Sequence, residues 1–415
     1  MFLRSGRAVW GALLAVPLLL AGFDRLVYPA LTSRLPAGVG ERLAMTDRPL
    51  AQSSKAGTSP AGDYLALLGD GHALGYGDGL LAALASGGRP MTPALALHRA
   101  LNRDVLAFGA AQGGPVQAAV ALYGTLEESR ATPHPLPPPR QALLLFSEAD
   151  DFGELLSFIQ ETVEGEEGFE TLLQSPPMQQ QLGEMIVKMR GTPIEDGVWR
   201  DLSEDLAGRV AEPWEKSWTG LAFLKRLREA KPPALQRLEV KRAEAPPPAG
   251  TVNQATVGGK EVFLPDRLAA PPLTMEGGKL QFAGRMFAAV LGYLKQNFPE
   301  TDLRVVYLPS VVNAYAMSGA QVFIQRDEKD WKERYETALP AQASNALCGL
   351  AAMVSRQEGA GFYDARPALR EKAREAAIHG PRDWHHLNPQ GYEALGAALA
   401  DYLKQDQRNQ GCGAL

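Results

Sequence analysis

The stretch LALLGDGHALGYGDG, residues 65–79, begins as an unbroken apolar run and ends in a glycine-rich turn. The run, which Tyr64 extends, predicts a strand that is buried on both faces of a parallel sheet. Gly69 and Asp70 end this strand, and functional sites in open α/β sheets form at the carboxyl ends of the strands. The stretch therefore predicts both the fold class and the position of a site.

Four further short runs repeat the pattern of this first strand. They are VLAFG (105–109), ALLLF (142–146), RVVYL (304–308) and the weaker GFYDA (361–365). Between the strands, apolar residues recur three and four positions apart, as in amphipathic helices, over residues 116–126, 282–296, 346–357 and 392–405. This alternation predicts an α/β fold with a doubly wound parallel sheet of about five strands.

Spacing and composition divide the chain into segments. The gap between the third and fourth strands is far longer than a crossover connection, so it holds an insertion, which we expect to be large and mainly helical. We assign residues 63–153 and 300–405 to the α/β domain, 154–299 to the insertion with a connecting helix, and 406–415 to a tail. Residues 29–62 are rich in Ala, Gly, Pro and Ser, a composition that favours a tether.

The N-terminus has the pattern of an export signal. Arg4 and Arg7 precede an apolar run over residues 8–23. We interpret residues 1–28 as an uncleaved signal anchor, a membrane-spanning helix, with a cleaved signal peptide and a buried soluble helix as alternatives. Basic residues ahead of the run place the bulk of the chain away from the cytoplasm. The expected location is the cell envelope, either anchored in the inner membrane and facing the periplasm, or exported.

Composition and charge exclude several function classes. The chain has 415 residues, 45% of them hydrophobic, which is enough apolar material for one large domain with an insertion or for two domains. A net charge of −5 without a long basic run gives no electrostatic footprint for nucleic acid. GYGDG (75–79) lacks the lysine of a phosphate-binding loop, so no nucleotide is expected. Cys348 and Cys412 lack metal-ligand spacing, so no metal or other cofactor is expected, and whether they pair stays open.

Catalytic side chains are predicted in GPRDWHHLNPQGYEALG, residues 380–396. Asp383 lies three residues before His386, and a carboxylate at this spacing on a turn can pair with the imidazole. Such a pair holds the tautomer whose other ring nitrogen accepts a proton. The turn leads directly into the last amphipathic helix, as expected of a catalytic loop.

The chain resembles the SGNH hydrolase superfamily, the GDSL-type lipases and esterases, in four blocks that have the family's order. Apart from the insertion, the resemblance runs from about Asp63 to Leu403. GDG (69–71) matches the family's glycine-aspartate-serine block, AFGAAQGGP (107–115) its glycine block, and EADDF (148–152) its asparagine block; Asp383 and His386 match the last block. The resemblance implies a flavodoxin-like sheet and an activity that hydrolyses or transfers ester groups, such as O-acetyl groups.

The family's roles carry over to these positions one by one. Gly71 stands at the nucleophile position, where the family has serine, and Asp383 and His386 stand at the positions of the catalytic acid and base. The positions that contribute to the oxyanion hole are Gly71, Gln112, Gly113 and Asp150. Asp70 and Asp151 occupy supporting positions, and we expect Asp151 to brace its loop by hydrogen bonds.

Three of these positions differ from the family pattern, and each difference weakens ester chemistry. Gly71 has no hydroxyl, so an acyl-enzyme cannot form by the usual route. Gln112 keeps its backbone N–H but adds a side chain where the backbone approaches the ligand. An ionised Asp150 only accepts hydrogen bonds and would repel a developing oxyanion, and loss of one oxyanion donor alone costs about 3 to 4 kcal/mol.

Two kinds of function follow from these positions. The first is an SGNH-like cell-envelope protein whose ester hydrolysis or transfer is weakened or lost, or one that activates water directly through His386 and Asp383. The alternative is a non-catalytic envelope protein that binds a glycan or a protein partner through the degenerate cleft or the insertion. The expected partners are an acylated carbohydrate or envelope polymer, and the membrane through the N-terminal helix.

Several side chains near the blocks have alternative interpretations. Ser147, directly before the third block, is an alternative nucleophile if the blocks are misaligned. His72 and His385 adjoin the site as solvated or capping groups, with a second base as the alternative. YLPSVVNAY (307–315) either lines the pocket rim through its polar side chains or forms a turn that its own Ser310 and Asn313 satisfy.

Overall fold

The structure is a computed structural model, and it describes residues 52–53, 63–80, 91–109, 113–130, 136–162, 253–273, 277–326, 331–405 and 408–413. The predicted signal anchor (1–28), nearly all of the predicted tether (29–62), the central part of the predicted insertion (163–252) and Gln112 lie outside these ranges. No helix within the described ranges is long and apolar enough to span a bilayer.

The elements follow one another along the described chain. The strands are β1 (Gln52–Ser53), β2 (Leu65–Gly69), β3 (Val105–Gly109), β4 (Gln141–Ser147), β5 (Gln254–Val257), β6 (Lys260–Phe263), β7 (Asp302–Leu308), β8 (Ala316–Met317), β9 (Gln321–Arg326), β10 (Trp331–Glu336) and β11 (Gly361–Asp364). The helices are α1 (Gly71–Leu74), α2 (Pro93–Leu101), α3 (Pro115–Arg130), α4 (Asp151–Thr162), α5 (Gly277–Asn297), α6 (Val311–Ala314), α7 (Ala338–Gln357), α8 (Arg366–Glu375) and α9 (Pro389–Lys404).

Five parallel strands form the central sheet, in the order β3-β2-β4-β7-β11, and the short β1 pairs antiparallel with β3 at one edge. Leu65 and Gly69 of β2 lie opposite Val105 and Gly109 of β3, so these two strands end at the same level. The prediction of an α/β fold with five parallel strands is confirmed, and the five apolar runs coincide with the five strands. Because the first strand lies between the second and the third, the strand order reverses beside β2, where α/β sheets form their sites.

Helices cover both faces of the sheet because successive strand residues point to opposite sides. Ala66 and Leu68 of β2 join a core with α3, α4, α5 and α7. Leu65 and Leu67 join a second core with α2, α8 and α9. Burial on both faces explains why the strand sequences are continuously apolar rather than alternating.

Two small sheets flank the main one. β5 and β6 form a hairpin whose turn, Gly258–Gly259, has left-handed φ values of 59° and 72°, and β8 pairs with β5. β9 and β10 form a second hairpin. Residues 253–263 lie in the segment predicted as a mainly helical insertion, and the structure has a hairpin there instead. A glycine pair between two short alternating runs is the signal for such a hairpin.

The last described residues lie along the edge strand β11. Phe362 donates its N–H to Arg408 O (2.8 Å), and Phe362 O accepts the N–H of Gln410 (2.9 Å). A disulfide joins Cys348 of α7 to Cys412. The pairing that the sequence left open is therefore present, and residues 408–413, part of the predicted tail, pack onto the domain.

The hydroxyl of Tyr315 binds the backbone that leads into the C-terminal loop. It accepts the N–H groups of Ile378 (2.9 Å) and His379 (3.0 Å), and all three residues are buried. Replacing Tyr315 by phenylalanine leaves two buried N–H groups without a partner. We expect a loss of about 2 to 4 kcal/mol in the free energy of unfolding, measured by urea denaturation.

Tyr363 provides the matched control for this substitution. Its ring stacks on Tyr402 with centroids 4.6 Å apart, and its hydroxyl has no hydrogen bond to any described residue. Tyr363→Phe should therefore change the free energy of unfolding by less than about 0.5 kcal/mol. Equal losses in both variants would show that the Tyr315 hydroxyl does not hold this segment.

Candidate active site

The loop after β2 and the loop before α9 meet at the carboxyl end of the sheet. The rings of His72 and His386 have centroids 4.9 Å apart. The Tyr392 hydroxyl donates a hydrogen bond of 2.7 Å to Tyr76 O. At Gly77, which has a φ of 126°, a Cβ atom would lie 2.6 Å from Leu387 O, so only glycine fits between the loops. The first and last sequence blocks, more than 300 positions apart, therefore form one site.

The position of the first loop depends on a close approach of β2 and β3 where both strands end. A Cβ atom on Gly109 would lie 2.0 Å from Gly69 O. No other residue type fits there without moving the backbone. Directly after this contact, Asp70 caps α1 by accepting His72 N over 2.8 Å.

Asp383 and His386 form the predicted acid–imidazole pair. Asp383 Oδ2 lies 2.8 Å from His386 Nδ1, and Asp383 Oδ1 accepts the backbone N–H groups of His385 and His386. Burial alone would raise the pKa of Asp383, but the hydrogen bonds and the His386 ring hold that pKa well below its usual value. Burial also lowers the pKa of His386, against the effect of Asp383. His386 is therefore a neutral base near pH 7, with Nε2 as its free nitrogen.

A second acid–imidazole pair lies within the first loop. His72 Nδ1 is 3.0 Å from Asp70 Oδ2 and 3.2 Å from Asp70 Oδ1, and both residues are buried. Burial lowers the pKa of His72, but the charge of Asp70 outweighs it and raises that pKa above its usual value. Burial would raise the pKa of Asp70, but the charge and hydrogen bonds of His72 outweigh this effect and lower that pKa below its usual value. His72 is therefore held towards its protonated form.

A third pair joins Asp150, after β4, to the C-terminal loop. His385 Nε2 lies 3.1 Å from Asp150 Oδ2, which also accepts the Ser147 hydroxyl over 3.0 Å. Although burial opposes it, the charge of Asp150 raises the pKa of His385 to about 9. From the sequence alone, an ionised Asp150 is expected to repel an oxyanion. The structure places a cationic imidazole on it, which balances much of that negative charge.

Within the described part of the chain, no serine or threonine hydroxyl hydrogen-bonds to the ring of His386. Among the described residues, Asp383 is the one group that hydrogen-bonds to the His386 ring. The Ser147 hydroxyl binds Asp150 rather than an imidazole, so the structure does not bring this alternative nucleophile to His386. Gly71 is buried, and its φ is not among the left-handed values, so its backbone does not require glycine. The described residues of the site thus supply a general base but no hydroxyl nucleophile bonded to it.

The other predicted oxyanion and supporting positions lie around this loop. Gly71 and Gly113 are buried at the carboxyl end of the sheet, and Gln112 lies outside the described residues. Asp151 Oδ2 accepts Ser147 N over 2.7 Å, a contact that braces the loop after β4.

Asp151 also belongs to a pair of acids that the sequence analysis missed. Among the residues that the structure describes, neither Asp151 Oδ1 nor Glu154 Oε2, both buried, has a hydrogen-bond partner, and a Cβ atom on Gly114 would lie 2.8 Å from Glu154 Oε2. Burial and the nearby carboxylates raise the pKa of Glu154 to about 7 and that of Asp151 well above its usual value. The three-residue spacing at the start of α4 was the available signal, since it places both on one face of the helix.

A buried polar network holds the loop after β4 in place through Glu148. Glu148 is fully buried, and its Oε1 accepts Ser310 N (2.8 Å), the Ser310 hydroxyl (2.6 Å) and Asn313 Nδ2 (2.7 Å). Glu148 Oε2 accepts the hydroxyl of Ser344, which also binds Arg366. Ser310 and Asn313 therefore serve this network rather than the pocket rim.

Within the described ranges, one group of His, Cys, Asp or Glu side chains is compact enough to hold a metal ion: Cys348, Asp364 and Cys412. Both sulfurs are in the disulfide, so neither is available as a thiolate ligand. This group does not fit a metal.

Comparisons with known proteins identify no family for the chain. No protein-family model matches it, and no curated protein matches it. A crystal structure aligns with 83% of this chain and 98% of its own at 12% sequence identity and a TM-score of 0.32. A similarity of this size supports no statement about fold or function.

Proposed function

We propose that the chain is an SGNH-like protein of the cell envelope whose hydrolysis or transfer of ester groups is weakened or lost with its nucleophile. The observation that carries the proposal is the position of the Asp383–His386 pair. It lies against the loop after the first strand, where the family's serine stands, and Gly71 offers it no hydroxyl. The five-stranded order β3-β2-β4-β7-β11 supports the same proposal because it is the flavodoxin-like order.

The second candidate is a non-catalytic envelope protein that binds a glycan or a protein partner. It is favoured by the missing hydroxyl, since a cleft with three acid–imidazole pairs offers hydrogen-bond donors and acceptors whether or not it reacts. The location rests on the export-signal pattern of residues 1–28. The disulfide between Cys348 and Cys412 supports it, because disulfides persist in oxidising compartments.

The proposal is tested by introducing a serine at position 71 and labelling that serine covalently. A fluorophosphonate probe labels a hydroxyl that a neighbouring base activates. We expect no labelling of the wild type, labelling of the Gly71→Ser variant at position 71 by peptide mass spectrometry, and no labelling of Gly71→Ser combined with His386→Asn. Asparagine keeps a donor in place of Nδ1 towards Asp383 but cannot act as the base.

Two outcomes would contradict the proposal. Labelling of the wild type at another serine, such as Ser147, would show that the nucleophile lies elsewhere. A Gly71→Ser variant that folds, as judged by its urea unfolding curve, and still resists the probe would show that the two loops do not form an ester-hydrolase site.

A further inference from the structure

We propose that His386 and His72 act together as general base and general acid, so that water attacks an ester directly and no acyl-enzyme forms. The inference rests on the proposed function, because it assumes that the cleft accepts an ester. It assigns His72, which lies next to the missing nucleophile, a catalytic role.

The two imidazoles are placed as such a pair requires. Their ring centroids are 4.9 Å apart and their planes are inclined by 50°. Each ring is tied through Nδ1 to its own carboxylate, at 3.0 Å for His72 and 2.8 Å for His386. Nε2 is therefore the nitrogen left for a reactant on both rings, and no described residue hydrogen-bonds to either Nε2.

The surroundings give the two rings opposite protonation states. Asp70 stabilises the protonated His72 and raises its pKa, although burial opposes this. Burial and the cationic neighbours His72 and His385 lower the pKa of His386. The pKa of His72 is therefore raised and that of His386 lowered, so the surroundings favour one protonated and one neutral ring, as concerted acid–base catalysis needs.

The reaction balances without a protein nucleophile or an added co-reactant. His386 Nε2 takes a proton from water while the water oxygen bonds to the ester carbon, and the carbonyl electron pair moves onto oxygen. The C–O bond to the leaving group then breaks, and His72 donates its Nε2 proton to the leaving oxygen. The oxyanion pair re-forms the carbonyl as that bond breaks, so the products are an alcohol and a carboxylic acid, which releases its own proton to solvent. The proton on His386 returns to His72 through solvent, and both rings regain their starting states.

The arrangement selects a class of substrate. A phenolate with electron-withdrawing groups leaves without a proton, whereas an alkoxide leaves only when an acid protonates it. A sugar O-acetyl group has a leaving group of the second kind. The pair therefore suits acetylated carbohydrates, and His72 matters only for esters of aliphatic alcohols.

The pH profile follows from the groups that face the two rings. His72 faces Asp70, Asp150, His379, His385 and His386. His386 faces Asp70, Asp383, Tyr76, His72, His379 and His385. The rate rises with pH as His386 loses its proton, at a pKa below 6.5, and falls as His72 loses its proton, at a pKa above 6.5. An aliphatic acetate should thus give a bell-shaped profile and p-nitrophenyl acetate only the rising limb.

The test uses the full chain with two probes, p-nitrophenyl acetate and an O-acetylated methyl glycoside. His72→Asn keeps a donor towards Asp70, and we expect it to slow the glycoside about 100-fold or more while changing the p-nitrophenyl ester less than about 3-fold. His386→Asn should slow both esters by about 100-fold or more. His98→Asn is the matched control, because His98 binds Arg103 O at the opposite end of the sheet and should change neither rate.

The comparison of substrates separates catalysis from folding. A variant that merely loses structure slows both esters alike, so equal losses in His72→Asn would overturn the inference. The pH profiles of the wild type on the two esters test the inference without any substitution. A burst of nitrophenol would reveal an acyl-enzyme and would also overturn the inference.

If the wild type is inactive but Gly71→Ser hydrolyses the ester, only this inference fails. If both are inactive, the proposed function fails as well.

Discussion

Replacing Gly71 by serine is expected to raise the hydrolysis of p-nitrophenyl acetate by about 10²-fold or more, because a hydroxyl held beside His386 replaces a water molecule that must be captured from solvent. The base is already in place, because His386 bonds to Asp383 over 2.8 Å and has no hydroxyl partner among the described residues. The backbone at position 71 has no left-handed φ, so serine is compatible with it. The measurement is the steady-state rate together with the initial burst of nitrophenol that an acyl-enzyme produces.

Two companion variants make this prediction specific. Gly71→Ala adds a Cβ atom without a hydroxyl and should stay at the wild-type rate. Adding Asp383→Asn to Gly71→Ser should remove most of the gain, because the amide no longer holds the tautomer that leaves Nε2 free. Equal rates for the serine and alanine variants would show that no hydroxyl at position 71 reaches the His386 ring.

The change Asp150→Asn, combined with Gly71→Ser, tests the oxyanion position. An amide donates a hydrogen bond to the developing oxyanion, and one such donor is worth about 10²-fold or more. The carboxylate, however, is paired with His385 at 3.1 Å, so its negative charge is partly balanced in the wild type. We therefore expect the second change to raise the rate further, but by less than this full factor. A lower rate than Gly71→Ser alone would show that the His385 pair is needed.

Replacing Glu148 by alanine is expected to lower the free energy of unfolding by about 3 to 5 kcal/mol, the usual loss when one partner of a buried charged network is removed. Glu148 has no exposed surface, and it accepts hydrogen bonds from Ser310, Asn313 and Ser344. The substitution leaves the Ser310 N–H and the Ser310 and Ser344 hydroxyls without their acceptor, whereas Asn313 Nδ2 keeps Pro340 O at 3.2 Å, and it also creates a cavity. Urea denaturation of the wild type and the variant gives the difference directly.

Two control variants show how much of this loss in the free energy of unfolding comes from the network. Glu148→Gln keeps the side-chain volume and one acceptor oxygen, so it should lose clearly less than the alanine variant. Glu393 is an exposed acid on α9, and Glu393→Ala should change the free energy of unfolding by less than about 0.5 kcal/mol. A loss in Glu148→Ala that is no larger than in Glu393→Ala would mean that the network contributes nothing to stability.

The strands and the catalytic turn could be predicted because their signals are local. Residues 65–69 and 105–109 are apolar throughout, and only a strand buried on both faces requires this. Asp383 and His386 lie within one turn, so their spacing alone indicated the pair that the structure has at 2.8 Å. The hairpin at residues 254–263 was missed, because the assignment gave weight to the helical pattern of residues 154–230 and not to the turn at Gly258–Gly259.

The roles of single polar side chains were harder to predict, since they depend on the partner that the fold supplies. Asp150 was expected to carry an unbalanced charge, but the fold brings His385 to it from a loop more than 200 positions away. His72 had two interpretations, and its burial, its pairing with Asp70 and its approach to His386 distinguish it from a solvated side chain. Glu148 gave no signal, because its partners Ser310 and Ser344 follow it by 162 and 196 positions.

The sequence by itself determined the order of strands and helices, the five parallel strands, the Asp383–His386 pair and the lack of a hydroxyl at position 71. Only the tertiary structure decided that the loop of Gly71 meets this pair, that Asp150 is paired with His385, and that Cys348 joins Cys412. The physical reason is the separation along the chain over which each kind of signal acts. Apolar periodicity and short spacings act between neighbours along the chain, whereas the charge and reactivity of a buried group depend on whichever distant residues the strand order brings within about 3 Å of it.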